Sequence, residues 1–217
     1  MSKNPFITPF ESLPNTLPIF PLPGAILMPG AELPLNIFEP RYLIMINDAI
    51  AGHRMIGMIQ PDPNGEGEDA VYRTGCAGRI TQFRETSDCR IEMALTGVCR
   101  FDVDEELSTT RGYRLVVPDW SRFADDYADN TGLLQDEHER LLNMLERFFD
   151  IKGYEADLKM LKQLPPVRLI DSLTMALPFD AAEKQMLLES VGPDQRLANF
   201  IALIDGDFDV PDSVTRH

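Results

Sequence analysis

Nine of the 17 prolines stand at positions 5, 9, 14, 18, 21, 23, 29, 34 and 40, so no helix can persist through the first 40 residues. The apolar runs between them, Leu17–Phe20, Ala25–Met28 and Leu33–Phe38, therefore read as extended segments, with Pro23-Gly24 and Pro29-Gly30 as the turns. Glu39-Pro40 changes the pattern. Proline suits the first helical position, and Leu43, Ile46 and Ile50 then repeat at helical spacing until Gly52 stops the helix.

From residue 54 to about 119 the apolar period falls to two. It is clearest where Cys89, Ile91, Met93 and Leu95 alternate with Arg90, Glu92, Ala94 and Thr96. Similar runs at Met55–Ile59, Cys76–Arg84, Val98–Val103 and Tyr113–Val117, with turn residues at Thr86-Ser87-Asp88 and Thr96-Gly97, predict an antiparallel sheet or barrel. After Trp120 the acidic stretch Asp125–Asp129 reads as a solvated connector. Leu134, Leu141, Leu145 and Phe148 then follow helical spacing. Pro165-Pro166 separates a short helix from one carrying Val167, Ile170, Leu173 and Leu177. Asp180 with Glu183 predicts an acidic capping box, and Gly192-Pro193 opens a last helix striped by Leu197, Phe200, Ile201 and Ile204. The expected fold class is α+β, with a β-rich lobe over 1–120, a helical bundle over 121–210 and a flexible tail over 211–217.

Charge narrows the function. With 20 Lys+Arg against 35 Asp+Glu, the net charge of −15 repels nucleic-acid phosphates and anionic membrane surfaces. No apolar stretch approaches the roughly 18 residues of a membrane span, and prolines cut every candidate leader segment. Cys76, Cys89 and Cys99 are too few for a disulfide framework and lack metal-ligand spacing, which points to a reducing, cytoplasmic setting. Cys89 and Cys99 are expected as inert thiols on the apolar faces of their strands.

Local signatures of catalysis are missing. The sequence has no phosphate-cradling G-x-x-x-x-G-K-[ST], no G-x-S-x-G and no H-E-x-x-H. His53 and His138 are expected on the solvated surface, and His217 is the last residue. Asp62-Pro63-Asn64-Gly65-Glu66-Gly67 imitates half a calcium loop, but Arg73 stands where the bidentate glutamate belongs. The stretch reads as a hairpin loop. No catalytic residue, metal ligand or cofactor is assigned.

The run Leu17-Pro18-Ile19-Phe20-Pro21-Leu22-Pro23-Gly24, continuing through Leu27-Met28-Pro29-Gly30 to Leu33-Pro34-Leu35-Asn36-Ile37-Phe38-Glu39-Pro40-Arg41-Tyr42, resembles the opening of the Lon protease N-terminal domain. Gly75–Ile80 and Leu95–Phe101 resemble two further strands of that family, in its order, and Glu183–Glu189 with Arg196-Leu197 resembles its helical end. The resemblance implies a PUA-like pseudo-barrel followed by a helical bundle. It also implies a non-enzymatic, stand-alone substrate-binding domain, without the ATPase and peptidase modules that follow in Lon proteases.

In that family the domain is associated with recognising unfolded polypeptides and with self-association. Unfolded chains offer apolar side chains and unpaired amides, so a receptor needs an apolar groove or an open sheet edge. Met28, Leu33, Phe38 and Tyr42, in or beside the stiff proline-rich segment, are the candidate peptide-binding residues, although Leu33 and Phe38, as large apolar residues, are expected rather in the core. Arg41 opposes the dipole of the helix it opens and is expected to pair with an acidic neighbour. Two other readings are an enzyme with a dispersed active site, which converging perturbed titratable groups would reveal, and nucleic-acid binding, which needs a segregated basic patch.

Overall fold

A computed structural model describes residues 8–67, 69–128 and 134–208. The chain divides into two compact units, Met1–Ala128 and Asp129–His217. In the first, β1 (Leu17–Pro21) lies parallel to β3 (Met55–Ile59) and antiparallel to β6 (Arg114–Asp119). Then β4 (Thr74–Glu85) and β5 (Ile91–Leu107) continue antiparallel from β3, and β5 returns to pair with β6. The five strands thus close into a barrel. β2 (Glu32–Ile37) stands outside that ring, antiparallel to the first part of β5 alone.

The parallel pair β1 and β3 requires a crossover, and α1 (Pro40–Ala51) supplies it. The buried face of α1 is Tyr42, Met45, Ile46 and Ala49, rotated from the sequence expectation: Ile46 is shared, while Leu43 and Ile50 are half-buried. All five residues of β3 are buried, since α1 covers the face that does not look into the barrel. The interior is filled by Leu17, Ile19, Met55, Ile59, Phe101, Val116 and Phe123.

The sequence places a turn at Thr96-Gly97, but β5 runs straight through it. Gly97 follows directly on the last β5 residue paired with β2, Thr96, before β6 joins at Asp102, and the register on β4 shifts there. Its N–H donates to the Ala31 carbonyl at 2.9 Å and its carbonyl accepts from the Gly30 N–H at 2.8 Å, with Gly30 at φ +70°. A Cβ on Gly97 would lie 2.1 Å from the Met28 carbonyl oxygen. This glycine marks close backbone approach, which local pattern does not distinguish from a turn.

Three further expectations change. Cys89 is exposed, with φ +61°, in the turn before β5, so it is not a core thiol. Asp126, placed by sequence in a solvated connector, is buried against Arg100 at 2.7 Å. Together with buried Phe123 it ties the Ser121–Tyr127 3-10 segment to the barrel, which is why the unit ends at Ala128 and not at residue 120. His138 is half-buried, whereas His53 is exposed as expected.

The second unit contains α2 (His138–Lys152), α3 (Leu158–Leu161), α4 (Pro166–Ala176), α5 (Ala181–Glu189) and α6 (Pro193–Phe208). Leu145, Phe148, Leu169, Ile170, Phe200 and Ile204 form its core. The capping box opens α5: the Glu183 N–H donates to Asp180 Oδ1 at 2.8 Å, and the Asp180 N–H donates to Glu183 Oε2 at 2.7 Å. The tail expected over 211–217 lies outside the described residues. No helix among the described residues is long and apolar enough to cross a membrane.

Candidate functional site

The proline-rich start forms most of one cleft. Phe20–Pro23 leave β1 along one wall, Pro34–Tyr42 pass from β2 into α1 along another, and Pro61, Asp69–Val71 and the Gly112–Arg114 hairpin complete a volume of about 760 Å³. Pro21, Pro23, Pro34 and Pro61 stand in these walls and stiffen their backbone before a ligand arrives.

Its floor is aromatic. The Tyr42 and Phe20 rings lie tilted with centroids 4.3 Å apart, and burial raises the Tyr42 hydroxyl above its usual pKa. The Arg41 guanidinium covers the Tyr42 ring at 4.6 Å and pairs with Glu39 at 3.0 Å, which answers the dipole conflict seen in the sequence. Arg114 donates to Glu106 Oε1 at 2.7 Å and to the Asp69 carbonyl at 2.6 Å, and this pairing holds the Glu106 carboxyl below its ordinary pKa. The Tyr113 hydroxyl donates to Asp48 at 2.9 Å. Both cations of the cleft, Arg41 and Arg114, are therefore paired with carboxylates. Such an arrangement offers apolar surface and a few fixed polar atoms.

The four candidate residues separate. Phe38 and Tyr42 both line the cleft, Phe38 being 62% exposed with Arg90 at 5.7 Å over its ring. The exposure corrects the reading of Phe38 as core. Leu33 is half-buried on β2 opposite Leu95 and is not a cleft wall. Met28 is fully buried where the chain crosses Gly97, so no ligand reaches it in the folded protein. Phe20 and Leu35 belong to the same quoted run and could have been added from it. Tyr113 and Arg114 arrive from a distant hairpin, and no local signal announces them.

A shallower hollow of about 560 Å³ also borders β2, where Glu32, Leu35, Arg84 and half-exposed Phe83 meet. Elsewhere the remaining cysteines are deep: burial pushes Cys99 up to about 12 and raises Cys76 well above an ordinary thiol. In the Asp62–Gly67 loop the Asn64 N–H donates to Asp62 Oδ1 at 2.9 Å, the mark of an Asx turn. Among the described residues no group of three or more His, Cys, Asp or Glu is placed to hold a metal ion.

A closed barrel with an aromatic cleft, carrying an outlying strand and followed by a separate helical unit, defines an α+β module of two lobes. The chain belongs to the ATP-dependent protease La (LON) substrate-binding domain family, whose model matches residues 16–206. It is 27% identical over 191 residues to a Lon protease of Flavobacterium johnsoniae, covering 86% of this chain and 23% of that protein. A Lon protease of Dictyoglomus thermophilum is 24% identical over 192 residues, covering 86% and 24%. The chain thus spans about a quarter of the length of these relatives.

Among solved structures, a Lon N-terminal domain protein from Xanthomonas campestris superposes with a TM-score of 0.64 at 26% identity, covering 86% of this chain and 97% of that one. The N-terminal domain of a Mycobacterium avium complex Lon protease matches in fold with a TM-score of 0.62 at 20% identity, covering 92% and 100%.

Proposed function

We propose that this chain is a non-enzymatic receptor that holds extended, apolar segments of other polypeptides in the Phe20–Tyr42 cleft. The observation that carries this reading is a stiff, aromatic cleft whose cations Arg41 and Arg114 are already paired with carboxylates, so that it gains most from apolar side chains. Membership of the substrate-binding family supports it. The net charge of −15 favours polypeptides over nucleic acids as ligands. Three free cysteines support a reducing cytoplasmic setting.

The test is binding of a carboxymethylated, permanently unfolded protein, followed by fluorescence anisotropy. Phe38→Ser removes an exposed ring from the cleft and is expected to weaken binding about tenfold, the equivalent of roughly 1.4 kcal/mol, with little change in thermal stability. Equal affinity of the variant and the parent would sink the assignment to this cleft. Turnover of a small molecule by the purified chain would replace the reading with an enzymatic one.

A further inference from the structure

We infer that β2 takes up the bound polypeptide as an added strand, and that Pro34 keeps the same edge closed to a second copy of this chain. The inference rests on the receptor reading above and specifies how that receptor grips.

The alternation along the sheet fixes which backbone groups point where. Gly97 directs both its N–H and its carbonyl to the 30–31 segment that leads into β2. Ala94 instead turns its carbonyl to β4, where it accepts from the Thr81 hydroxyl at 3.3 Å. In an antiparallel ladder these directions alternate residue by residue, so Leu95, Met93 and Ile91 bond to β2. Their register partners are Leu33, Leu35 and Ile37. The intervening residues of β2, namely Glu32, Pro34 and Asn36, consequently point their backbone groups away from β5. No further strand pairs there among the described residues.

This free edge offers two N–H donors, from Glu32 and Asn36, and three carbonyl acceptors, because Pro34 contributes a carbonyl only. A guest strand with ordinary residues can make five backbone hydrogen bonds to it. A second β2 brings the same defect. In the register that overlaps all three outward residues of both copies, two prolines face each other and two carbonyls lose their donors; the registers shifted by one pair put a proline into every pairing. The edge therefore discriminates by backbone chemistry between a foreign chain and its own copy, which is how an exposed edge avoids polymerising.

The surroundings say which foreign chain fits. β2 lines both the aromatic cleft and the hollow beside Phe83, so a strand added to it lays side chains towards apolar surface. The chain's −15 charge disfavours an acidic guest. The occupant is thus an extended segment of apolar residues alternating with neutral or basic ones.

The experiment uses a short fluorescein-labelled peptide alternating valine with serine and lysine, and two derivatives N-methylated at one or the other alternate set of residues. One derivative is expected to lose binding at least about tenfold and the other to keep it, since only one set of amides faces β2. Asn36→Pro deletes an outward donor without touching the β2–β5 ladder and weakens binding of the parent peptide about tenfold. Pro34→Ala restores a donor, tightens binding about threefold, and allows the protein to self-associate in sedimentation. If both methylated peptides and Asn36→Pro bind as the parents do while Phe38→Ser still weakens binding, strand addition is wrong and the cleft reading stands. If the unmodified peptide and the carboxymethylated protein both fail to bind the wild-type chain, both are wrong. Should Asn36→Pro fail to fold, the pair of methylated peptides decides alone.

Discussion

In the barrel unit, Arg100 lies against Asp126 with both side chains almost wholly buried; in the helical unit, Arg196 stands in the same relation to Asp171. The surroundings differ. Asp126 accepts from the Arg100 guanidinium at 2.7 Å and also from the Arg100 backbone N–H at 2.9 Å, while the guanidinium rests on the Phe123 ring at 4.3 Å. One carboxylate thereby completes the hydrogen bonding of β5 and anchors a 3-10 segment that has little regular bonding of its own. Asp171 on α4 accepts from Arg196 on α6 at 2.5 Å, between helices already joined through Ile170, Leu173 and Phe200. A buried ion pair seldom adds net stability, because desolvation offsets the attraction. In the barrel it organises an irregular segment; in the bundle it joins elements that apolar contacts already hold.

Removing one partner is the harshest way to probe this contrast. Asp126→Ala and Asp171→Ala each strand a buried guanidinium, with an expected loss of about 3–5 kcal/mol. The first is read by denaturant unfolding at Trp120, the chain's only tryptophan, which packs on Phe101 in the barrel; the second is read by far-ultraviolet circular dichroism of the helices. Replacing both partners separates the two sites. Arg196→Leu with Asp171→Leu is expected to recover parental stability, whereas Arg100→Leu with Asp126→Leu remains about 1–3 kcal/mol short, because the backbone N–H at position 100 still lacks its acceptor. Equal recovery would erase the distinction drawn above.

A milder probe addresses the helical side alone. Asp180→Ala opens the capping box of α5 and should cost about 1 kcal/mol in the circular dichroism transition, with the Trp120 signal as the control.

At neutral pH titration of the thiols leaves stability unchanged, and its effect appears only in alkali. Cys99 is raised from 9.0 to about 12 chiefly by burial, so the folded barrel holds a proton that the unfolded chain gives up first. The stability this contributes is complete below pH 9.0 and is lost towards pH 12, and Cys99→Ala should flatten that alkaline decline at Trp120. At neutral pH iodoacetamide should modify exposed Cys89 and leave Cys76 and Cys99 intact until the protein is unfolded.

The sequence was legible wherever the determinant was local. Proline spacing delimited β1 and β2, Glu39-Pro40 marked the start of α1, and Asp180 with Glu183 marked α5, since each depends on residues within a turn of one another. It misled where the determinant lay across the fold. Gly97 resembles a turn until Met28 is brought against it, Asp126 resembles a solvated acid until Arg100 is set beside it, and Cys89 continues an alternation that the backbone abandons at Ile91. The smaller part of the cleft shared this fate. Phe38 and Tyr42 come from the recognisable run, whereas Tyr113 and Arg114 reach it only through barrel closure.

The crossing at Gly97 has a bearing on genetics. On the receptor reading proposed above, a library screened for lost ligand capture would return this position beside Phe38, although only Phe38 lines the cleft. Any side chain there pushes the 28–31 strap off the sheet, and the walls that strap helps to set move with it. The two kinds of hit separate on heating: a lesion at Phe38 leaves the melting point in place, and a lesion at Gly97 lowers it.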